Sequence, residues 1–314
     1  MQILILMLPI ILVVFTGYLS ARIGLLSQES NSTFTKFTFY IAMPCQLFLD
    51  FLKTPVSQAI NLHYIFSFAL CVLFVGVFIY LVGKYYFNAS LSECALNIMG
   101  SAQVNTAYFA IPLFLLIFNN ATPVIPILIF QVVILTTIVL LMIEHDLRKN
   151  DASKYHFIYK IPLIFIKNPI ILASMIGFIF SGFHVHVPTV GVKFFDILGA
   201  TAAPLALFAL GQSLFLDLKN ISRTDLPELL LLSFCKLIVL PLLAFVVGKY
   251  LFHLNHFWLA SLIIMSAMPA PKNMFIFSVK YKLNTKKAVS VVALTTISSF
   301  VTLNILMMIF RSYI

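Results

Sequence analysis

Long apolar runs separated by short polar segments cover most of the chain, and this pattern predicts membrane-spanning helices. A helix needs about 20 predominantly apolar residues to cross the hydrocarbon core of a bilayer. Ten runs come near that length, at about 2–20, 34–52, 62–83, 92–118, 122–143, 168–184, 194–214, 227–249, 257–280 and 287–310. We therefore predict an all-α, polytopic membrane protein with ten transmembrane helices.

The ninth run carries helix-breaking and polar residues in its middle. Pro269, Pro271, Lys272 and Asn273 lie in an otherwise apolar stretch from 257 to 279. Each proline lacks a backbone N–H, and its ring clashes with the carbonyl four residues earlier. Lipid tolerates freed backbone groups only where protein or a water-filled cavity covers them. The run therefore predicts a broken ninth helix whose break lies at a binding site inside a helix bundle.

The fourth run contains a second, softer interruption. Ser101 and Gln103 stand opposite Pro269 and Pro271 of the ninth run, and Pro112 follows further along. We predict a break in this helix too, although it rests on weaker helix breakers than the prolines of the ninth run.

Composition and charge agree with a membrane protein and limit its topology. The chain is 61% hydrophobic and 10% charged, whereas soluble domains are about 45–50% apolar and about 25% charged. If both termini lie on the outer side of a bacterial inner membrane, 14 basic residues, Lys287 among them, are cytoplasmic and four are external. This bias follows the positive-inside rule. The net charge of +10 is dispersed among loops, so we expect the bilayer, and no nucleic acid, as a partner.

The sequence holds none of the motifs that would indicate an enzyme, a metal centre or a bound cofactor. No catalytic or nucleotide-binding motif occurs, and the four cysteines have no metal-ligand spacing. We therefore expect no enzymatic activity and no cofactor, apart from a coupling ion that could be H⁺ or Na⁺.

Three motif pairs recur in the same order in the two halves of the chain. They are Gly17 and Pro44 with Gly177 and Pro204, Gly83-Lys84-Tyr85 with Gly248-Lys249-Tyr250, and Asn105 with Asn273. Their separations are 160, 165 and 168 residues. Because five spans is an odd number, a second copy enters the membrane from the opposite face. We predict two inverted five-helix repeats at 1–143 and 161–314, a cytoplasmic linker at 144–160, and broken helices 4 and 9 that cross at the midplane.

Polar side chains within the apolar runs are the candidates for a binding site. An amide inside a span needs hydrogen-bond partners because bulk water is absent, although a buried asparagine can also serve only to hold helices together. The candidate substrate-binding residues are Asn105, Asn273, Gln103, Lys272, Tyr108 and Gln46. The candidate helix breakers are Pro112, Pro269 and Pro271, and the candidate kinks of the second and seventh spans are Pro44 and Pro204.

Two lysines lie within predicted spans, where an unpaired charge is costly. Lys272 could neutralise an anionic substrate beside the positive end of the following half-helix, or it could snorkel or bond to carbonyls that the prolines free. Lys236 could pair with a carboxylate of another span, which the sequence does not identify.

Three motifs resemble those of the auxin efflux carrier family, which includes plant auxin exporters and bacterial malonate and malate permeases. The motifs are Asn105-Thr106-Ala107-Tyr108-Phe109-Ala110-Ile111-Pro112, the run from Leu198 to Leu214, and Ala267-Met268-Pro269-Ala270-Pro271-Lys272-Asn273. The resemblance implies a scaffold of spans 1, 2, 6 and 7 and a transport unit of spans 3–5 and 8–10 that moves like an elevator. It also implies that substrate binds where the two breaks cross. Lys272 departs from the family, in which a small or neutral residue is commoner at that place.

The sequence therefore predicts a secondary transporter of a small organic anion, a carboxylate such as malonate, malate or an auxin-like acid. A sodium-coupled symporter of the bile-acid type and a membrane receptor that does not transport are the alternatives. The oligomeric state stays open, with a homodimer through the scaffold helices as one arrangement.

Overall fold

The computed structural model describes residues 2–53, 61–147, 168–218 and 226–310. All regular structure in these ranges is helical. Of the predicted linker at 144–160, residues 148–160 lie outside the described ranges.

Sixteen α-helices can be followed through the described ranges, and π-helical turns continue several of them. They are α1 (Gln2–Arg22), α2 (Gln28–Phe37), α3 (Met43–Lys53), α4 (Leu62–Tyr85), α5 (Leu91–Ala102), α6 (Ile111–Phe118), α7 (Val124–Phe130), α8 (Thr136–Leu147), α9 (Pro169–Gly182), α10 (Thr189–Gly199), α11 (Ala202–Leu218), α12 (Leu226–Phe234), α13 (Leu240–Val246), α14 (His256–Ser266), α15 (Asn273–Lys280) and α16 (Thr285–Ile309).

Six helical stretches of the described chain are long and apolar enough to cross a membrane. They are Leu62–Tyr85, Leu91–Phe118, Val124–Leu147, Thr189–Phe215, Leu226–Leu251 and Thr285–Ile309. Three shorter apolar helices are Leu8–Arg22, Pro169–Gly182 and His256–Ser266. The all-helical, multi-pass membrane architecture that the apolar runs predict is confirmed.

The backbone turns into the left-handed conformation at residues that pair between the two halves. The residues with positive φ are Gly24 with His184, Asn88 with His253, and Asn119 with Lys282. Members of each pair stand 160, 165 and 163 residues apart. Left-handed backbone is uncommon for residues other than glycine, so five such residues at matched places are informative. The same turns recur at nearly the separations at which the sequence motifs recur.

The N-terminal caps of α5 and α14 recur at matched positions in the two halves. Ser90 caps α5 by accepting from the Glu93 N–H, and Asn255, 165 residues later, caps α14 by accepting from the Trp258 N–H. A side-chain oxygen at this position satisfies one of the N–H groups that a helix start leaves unpaired.

The described residues divide into two compact units. The first unit takes its residues from Met1–Asn61, Ala107–Ile129 and Phe157–Phe215, and the second from Leu62–Thr106, Phe130–His156 and Leu216–Ile314. The fourth span therefore changes unit between Thr106 and Ala107, immediately after its break.

Helices of the first unit approach each other backbone to backbone at several glycines, and two of these glycines lie 160 residues apart in the sequence. A methyl group on Gly17 would overlap the Phe208 carbonyl, and one on Gly177 would overlap the Phe48 carbonyl. Both members of the second pair differ from their counterparts in the first by 160 residues, with their places exchanged. Glycine is required here because any side chain would push the helices apart.

A buried ion pair joins three helices of the second unit. Lys287 of α16 is 3% exposed, and its Nζ lies 2.9 Å from the Glu228 carboxylate of α12. The other Glu228 oxygen accepts a hydrogen bond of 2.6 Å from the Asn97 amide of α5. Burial makes both partners necessary, because either charge alone would be strongly destabilised.

Candidate functional site

The ninth span is interrupted where its two prolines predict a break. Helix α14 ends at Ser266 and α15 begins at Asn273. The Ala270 N–H donates to Thr295 Oγ1 of α16 at 3.1 Å instead of to a helical carbonyl. A side chain of α16 therefore satisfies a backbone donor that the break leaves without a helical partner.

The fourth span is interrupted between α5 and the π-helical turn Thr106–Ala110. The Val104 N–H donates to Gln131 Oε1 at 2.6 Å, and Gln131 Nε2 lies 3.5 Å from the Val104 carbonyl oxygen. Gln103 Nε2 donates to Thr136 Oγ1 at 2.8 Å. The Gln131 side-chain amide thus contacts both the N–H and the carbonyl of Val104 and holds this segment in a non-helical conformation.

The two breaks are hydrogen-bonded to each other within the second unit. The Asn105 N–H donates to the Pro269 carbonyl at 2.9 Å. A methyl group on Gly100 would crowd Met274 and Val291, so α5 packs tightly against α15 and α16 near the breaks. This arrangement places Gln103, Asn105, Pro269 and the residues up to Asn273 in one region.

Asn105 and Asn273 hold equivalent places in the sequence but differ in their surroundings. Asn105 lies in the non-helical segment and is 3% exposed. Asn273 is the first residue of α15 and is exposed. Lys272 stands at the N-cap of α15 and is half-buried. The start of a helix carries partial positive charge and orients N–H groups outward, so α15 and Lys272 together offer a positive end to an anion.

The remaining candidate residues lie in other places. Tyr108 and Gln46 are half-buried residues of the first unit, and the Gln46 amide donates to Asp50 of the same helix at 3.0 Å. Gln46 also packs against Gly199. Their part in substrate binding stays a prediction.

Two of the candidate prolines directly follow π-helical turns, where the regular hydrogen bonding of the α-helix is already interrupted, and a third lies in the first turn of a helix, where the N–H groups have no helical acceptor. Pro112 is the second residue of α6, directly after the π-helical turn of the fourth span. Pro44 is the second residue of α3, and Pro204 the third residue of α11. The prolines of the second and seventh spans thus lie where those spans change from one helix to the next.

Lys236 is bound to the edge of the ninth-span break. Its side chain is wholly buried, and its Nζ donates to the Ser266 carbonyl at 3.3 Å. The sequence suggests a carboxylate partner for Lys236, whereas the partner that the structure gives it is a backbone carbonyl at the end of α14.

The sequence does not reveal that Gln131 and Thr295 support the two breaks. Both are polar residues in apolar helices that follow a broken span, and that position is the available signal. Together with Lys236 they satisfy backbone groups that the breaks release, so the irregular backbone is stable at membrane depth.

Comparison with known proteins assigns the chain to a family. The profile of the family described as membrane transport protein matches residues 2–307. A protein of Rhizobium meliloti named putative malonate transporter is 25% identical over 98% of this chain and 95% of its own length. An uncharacterized transporter of Methanocaldococcus jannaschii is 26% identical over 91% and 92%, and one of Escherichia coli is 23% identical over 94% of each chain. The chain therefore belongs to the membrane transport protein family, which is the auxin efflux carrier family that its motifs resemble, and it is a membrane transporter.

Proposed function

We propose that this transporter carries a small organic anion, with a dicarboxylate such as malonate as the leading candidate. The observation that carries the proposal is the break of the ninth span, where Lys272 occupies the N-cap position of α15 and Asn273 is the exposed first residue of that helix. Helix starts bind carboxylates through their N–H groups and their dipole, and an ammonium adds a full charge. A substrate with two negative charges suits a site that offers both a helix start and an ammonium group.

The relative from Rhizobium meliloti supports a carboxylate, since its name gives malonate as its substrate. Its identity of 25% to this chain is low, and a change of one or two side chains can change specificity. We base the proposed preference for a dianion over a monoanion on the Lys272 side chain.

We further propose that the fold consists of ten spans in two inverted repeats and that an elevator movement of the transport unit alternates access, with both termini outside the inner membrane. The recurring left-handed residues, the matched helix caps at Ser90 and Asn255, and the exchanged contacts Gly17–Phe208 and Phe48–Gly177 support the repeat. The second compact unit contains the third span and the eighth to tenth spans, which supports a transport unit that includes them, whereas residues 107–129 of the fourth and fifth spans group with the first unit.

Lys272→Met tests the role of the charge. In the wild type, malonate is expected to raise the melting temperature of the detergent-solubilised protein, because a ligand of the folded state stabilises it. The variant should lose about 1–3 kcal/mol of affinity for malonate, the contribution of a hydrogen bond to a charged group, and much less for acetate. Uptake of malonate into proteoliposomes should fall in parallel.

Lys84→Met is the matched control, because Lys84 is an exposed lysine near the end of α4. This variant should bind malonate and acetate as the wild type does. Equal losses for the two carboxylates in the Lys272 variant would contradict a counter-charge role. A wild-type protein that neither binds nor transports any mono-, di- or tricarboxylate would reject the proposed substrate class.

A further inference from the structure

An apolar groove in the second unit has no role in the proposed transport site. It has a volume of about 560 Å³ and is lined by α4, α5 and the fifth span between Phe130 and Met142. All three segments belong to the second unit. Several of its lining residues, among them Leu73, Val77 and Ile134, are exposed. In a bilayer this groove, which we call the α4 groove, therefore opens to lipid.

The α4 groove has the length of one bilayer leaflet. Ala69 is the first and Tyr80 the last residue of α4 that lines it. At a rise of 1.5 Å per residue, these two residues stand about 16 Å apart along the helix. The hydrocarbon core of a bilayer is about 30 Å thick, so one leaflet contributes about 15 Å. The groove is thus long enough for one extended acyl chain.

Gly76 leaves space for such a chain. A methyl group on Gly76 would meet Ile98 of α5 at 3.5 Å, and both residues line the groove, so a longer side chain would extend into it. The matched place in the second half is packed with aromatic rings. Phe245, 165 residues after Tyr80, lies with its ring centroid 4.6 Å from that of Phe310. The recurring motifs of the two halves therefore do not by themselves require an open groove.

A lysine and two tyrosines stand at one end of the α4 groove. The Tyr80 hydroxyl is the polar side-chain group among the described residues that line it, and Lys84 Nζ lies 3.5 Å from that hydroxyl. The same Nζ lies 5.7 Å from the ring centroids of Tyr80 and Tyr85. Lys84 is exposed near the end of α4. Lysine and tyrosine are typical of the level at which a helix leaves the hydrocarbon core.

A lipid phosphate suits this end of the groove. The Lys84 ammonium and the Tyr80 hydroxyl can both donate hydrogen bonds to phosphate oxygens, and the ammonium adds charge. In the proposed orientation Lys84 lies at the cytoplasmic surface, where anionic lipids attract basic side chains. The apolar groove and its positive end thus match the two parts of one phospholipid molecule.

We infer that the α4 groove is a binding site for an anionic phospholipid, with one acyl chain in the groove and the phosphate at Lys84 and Tyr80. The choice of leaflet rests on the proposed orientation, whereas the site itself does not depend on the transported substrate. A chain in the groove lies against α5 and against Leu135, the neighbour of the Thr136 that binds Gln103. Bound lipid should therefore stabilise the helices that hold the fourth-span break.

Titration of the purified protein with phosphatidylglycerol and with phosphatidylcholine of identical chains tests the inference. Native mass spectrometry of the delipidated protein in detergent counts bound lipids, and the melting temperature reports their effect on the folded state. Lys84→Met removes the charge for the headgroup, and Gly76→Leu fills the groove. Lys249→Met is the control for the first, because Lys249 Nζ likewise lies 5.2 Å from an aromatic ring, that of Phe245. Gly76→Ala is the control for the second.

The wild type and both controls should bind one phosphatidylglycerol in preference to phosphatidylcholine and should melt higher when it is bound. Lys84→Met should bind phosphatidylglycerol about fivefold more weakly, the effect of one basic side chain at an anionic surface. Its affinity for phosphatidylcholine should change much less. Gly76→Leu should bind both lipids at least about tenfold more weakly, because each methylene that loses its apolar site costs about fourfold in affinity.

Equal affinity of the wild type for the two lipids would overturn the inference, as would a Lys84→Met protein that keeps the full preference for phosphatidylglycerol. Unchanged lipid binding by Gly76→Leu would also overturn it, because the chain would then lie elsewhere. Lys84 is exposed, so its variant supplies a folded sample even if Gly76→Leu does not fold. These measurements use no malonate, so their failure and the failure of the proposed transport function can be told apart.

Discussion

Replacement of Gln131 by leucine should destabilise the fourth-span break, although the two side chains have a similar volume. Gln131 Oε1 accepts from the Val104 N–H at 2.6 Å, and its Nε2 lies at the limit of hydrogen bonding, 3.5 Å from the Val104 carbonyl. Both residues are 2% exposed, so water cannot replace the amide. Leucine has a similar size, so the change removes the polar partner without creating a large cavity.

The expected cost follows from the one short bond that is lost. A buried donor left without an acceptor costs about 1–3 kcal/mol, and the longer contact to the carbonyl adds little. We therefore expect Gln131→Leu to lower the free energy of unfolding by about 1–3 kcal/mol. Malonate uptake should fall as well, because the Asn105 N–H that follows the clamped segment is bonded to Pro269 in the other break.

Denaturant unfolding in detergent and uptake into proteoliposomes measure the two effects. Thr137→Val is the matched control, because the Thr137 hydroxyl lies nearby in sequence but donates only to the Val133 carbonyl of its own helix. The control should change the free energy of unfolding by less than about 0.5 kcal/mol. If Gln131→Leu unfolds and transports like the control, the amide does not hold the break and our reasoning is wrong.

Two further predictions concern the packing of each unit. Glu228→Gln or Lys287→Met alone should lower the free energy of unfolding by about 3–5 kcal/mol, because each leaves a buried group without its partner. A double variant with methionine at both positions should recover most of this loss, because no unpaired charge stays buried. Denaturant unfolding of the three variants measures these effects, and additive losses in the double variant would contradict the prediction. Gly17→Ala should cost about 1–3 kcal/mol, because its methyl group would overlap the Phe208 carbonyl. Gly76→Ala is its control, because there a methyl group would meet Ile98 at an ordinary 3.5 Å. Equal melting temperatures for the two glycine variants would argue against the close helix contact.

The sequence predicts those features that depend on local chemistry. Apolar runs of sufficient length predict the long helices, and Pro269 and Pro271 predict the interruption between α14 and α15, because proline lacks the donor that a helix needs at any site. The softer interruption at Gln103 was also predictable, although only by comparison of the two halves of the chain.

Features that depend on contacts between distant segments could not be predicted in the same way. Lys287 reads as one of many basic residues near a span end, and only the packing of α16 against α12 shows that it is buried with Glu228. The partner of Lys236 is a backbone carbonyl, a group that every residue possesses, so the sequence carries no sign of it. Asn105 and Asn273 look equivalent, but the first is buried in a non-helical segment and the second is exposed at the start of a helix, a difference set by packing between distant segments.

The hydrogen bond from the Asn105 N–H to the Pro269 carbonyl has a consequence for how this transporter can change over evolution. Both groups belong to the main chain, so almost any residue at either position preserves the bond, and proline at position 105 is the substitution that must abolish it. Alanine scanning would therefore overlook this connection, and natural variation can alter the side chains around the breaks to suit new substrates. Substrate specificity can therefore change through the side chains around the breaks while the main-chain hydrogen bond between the two broken helices is retained.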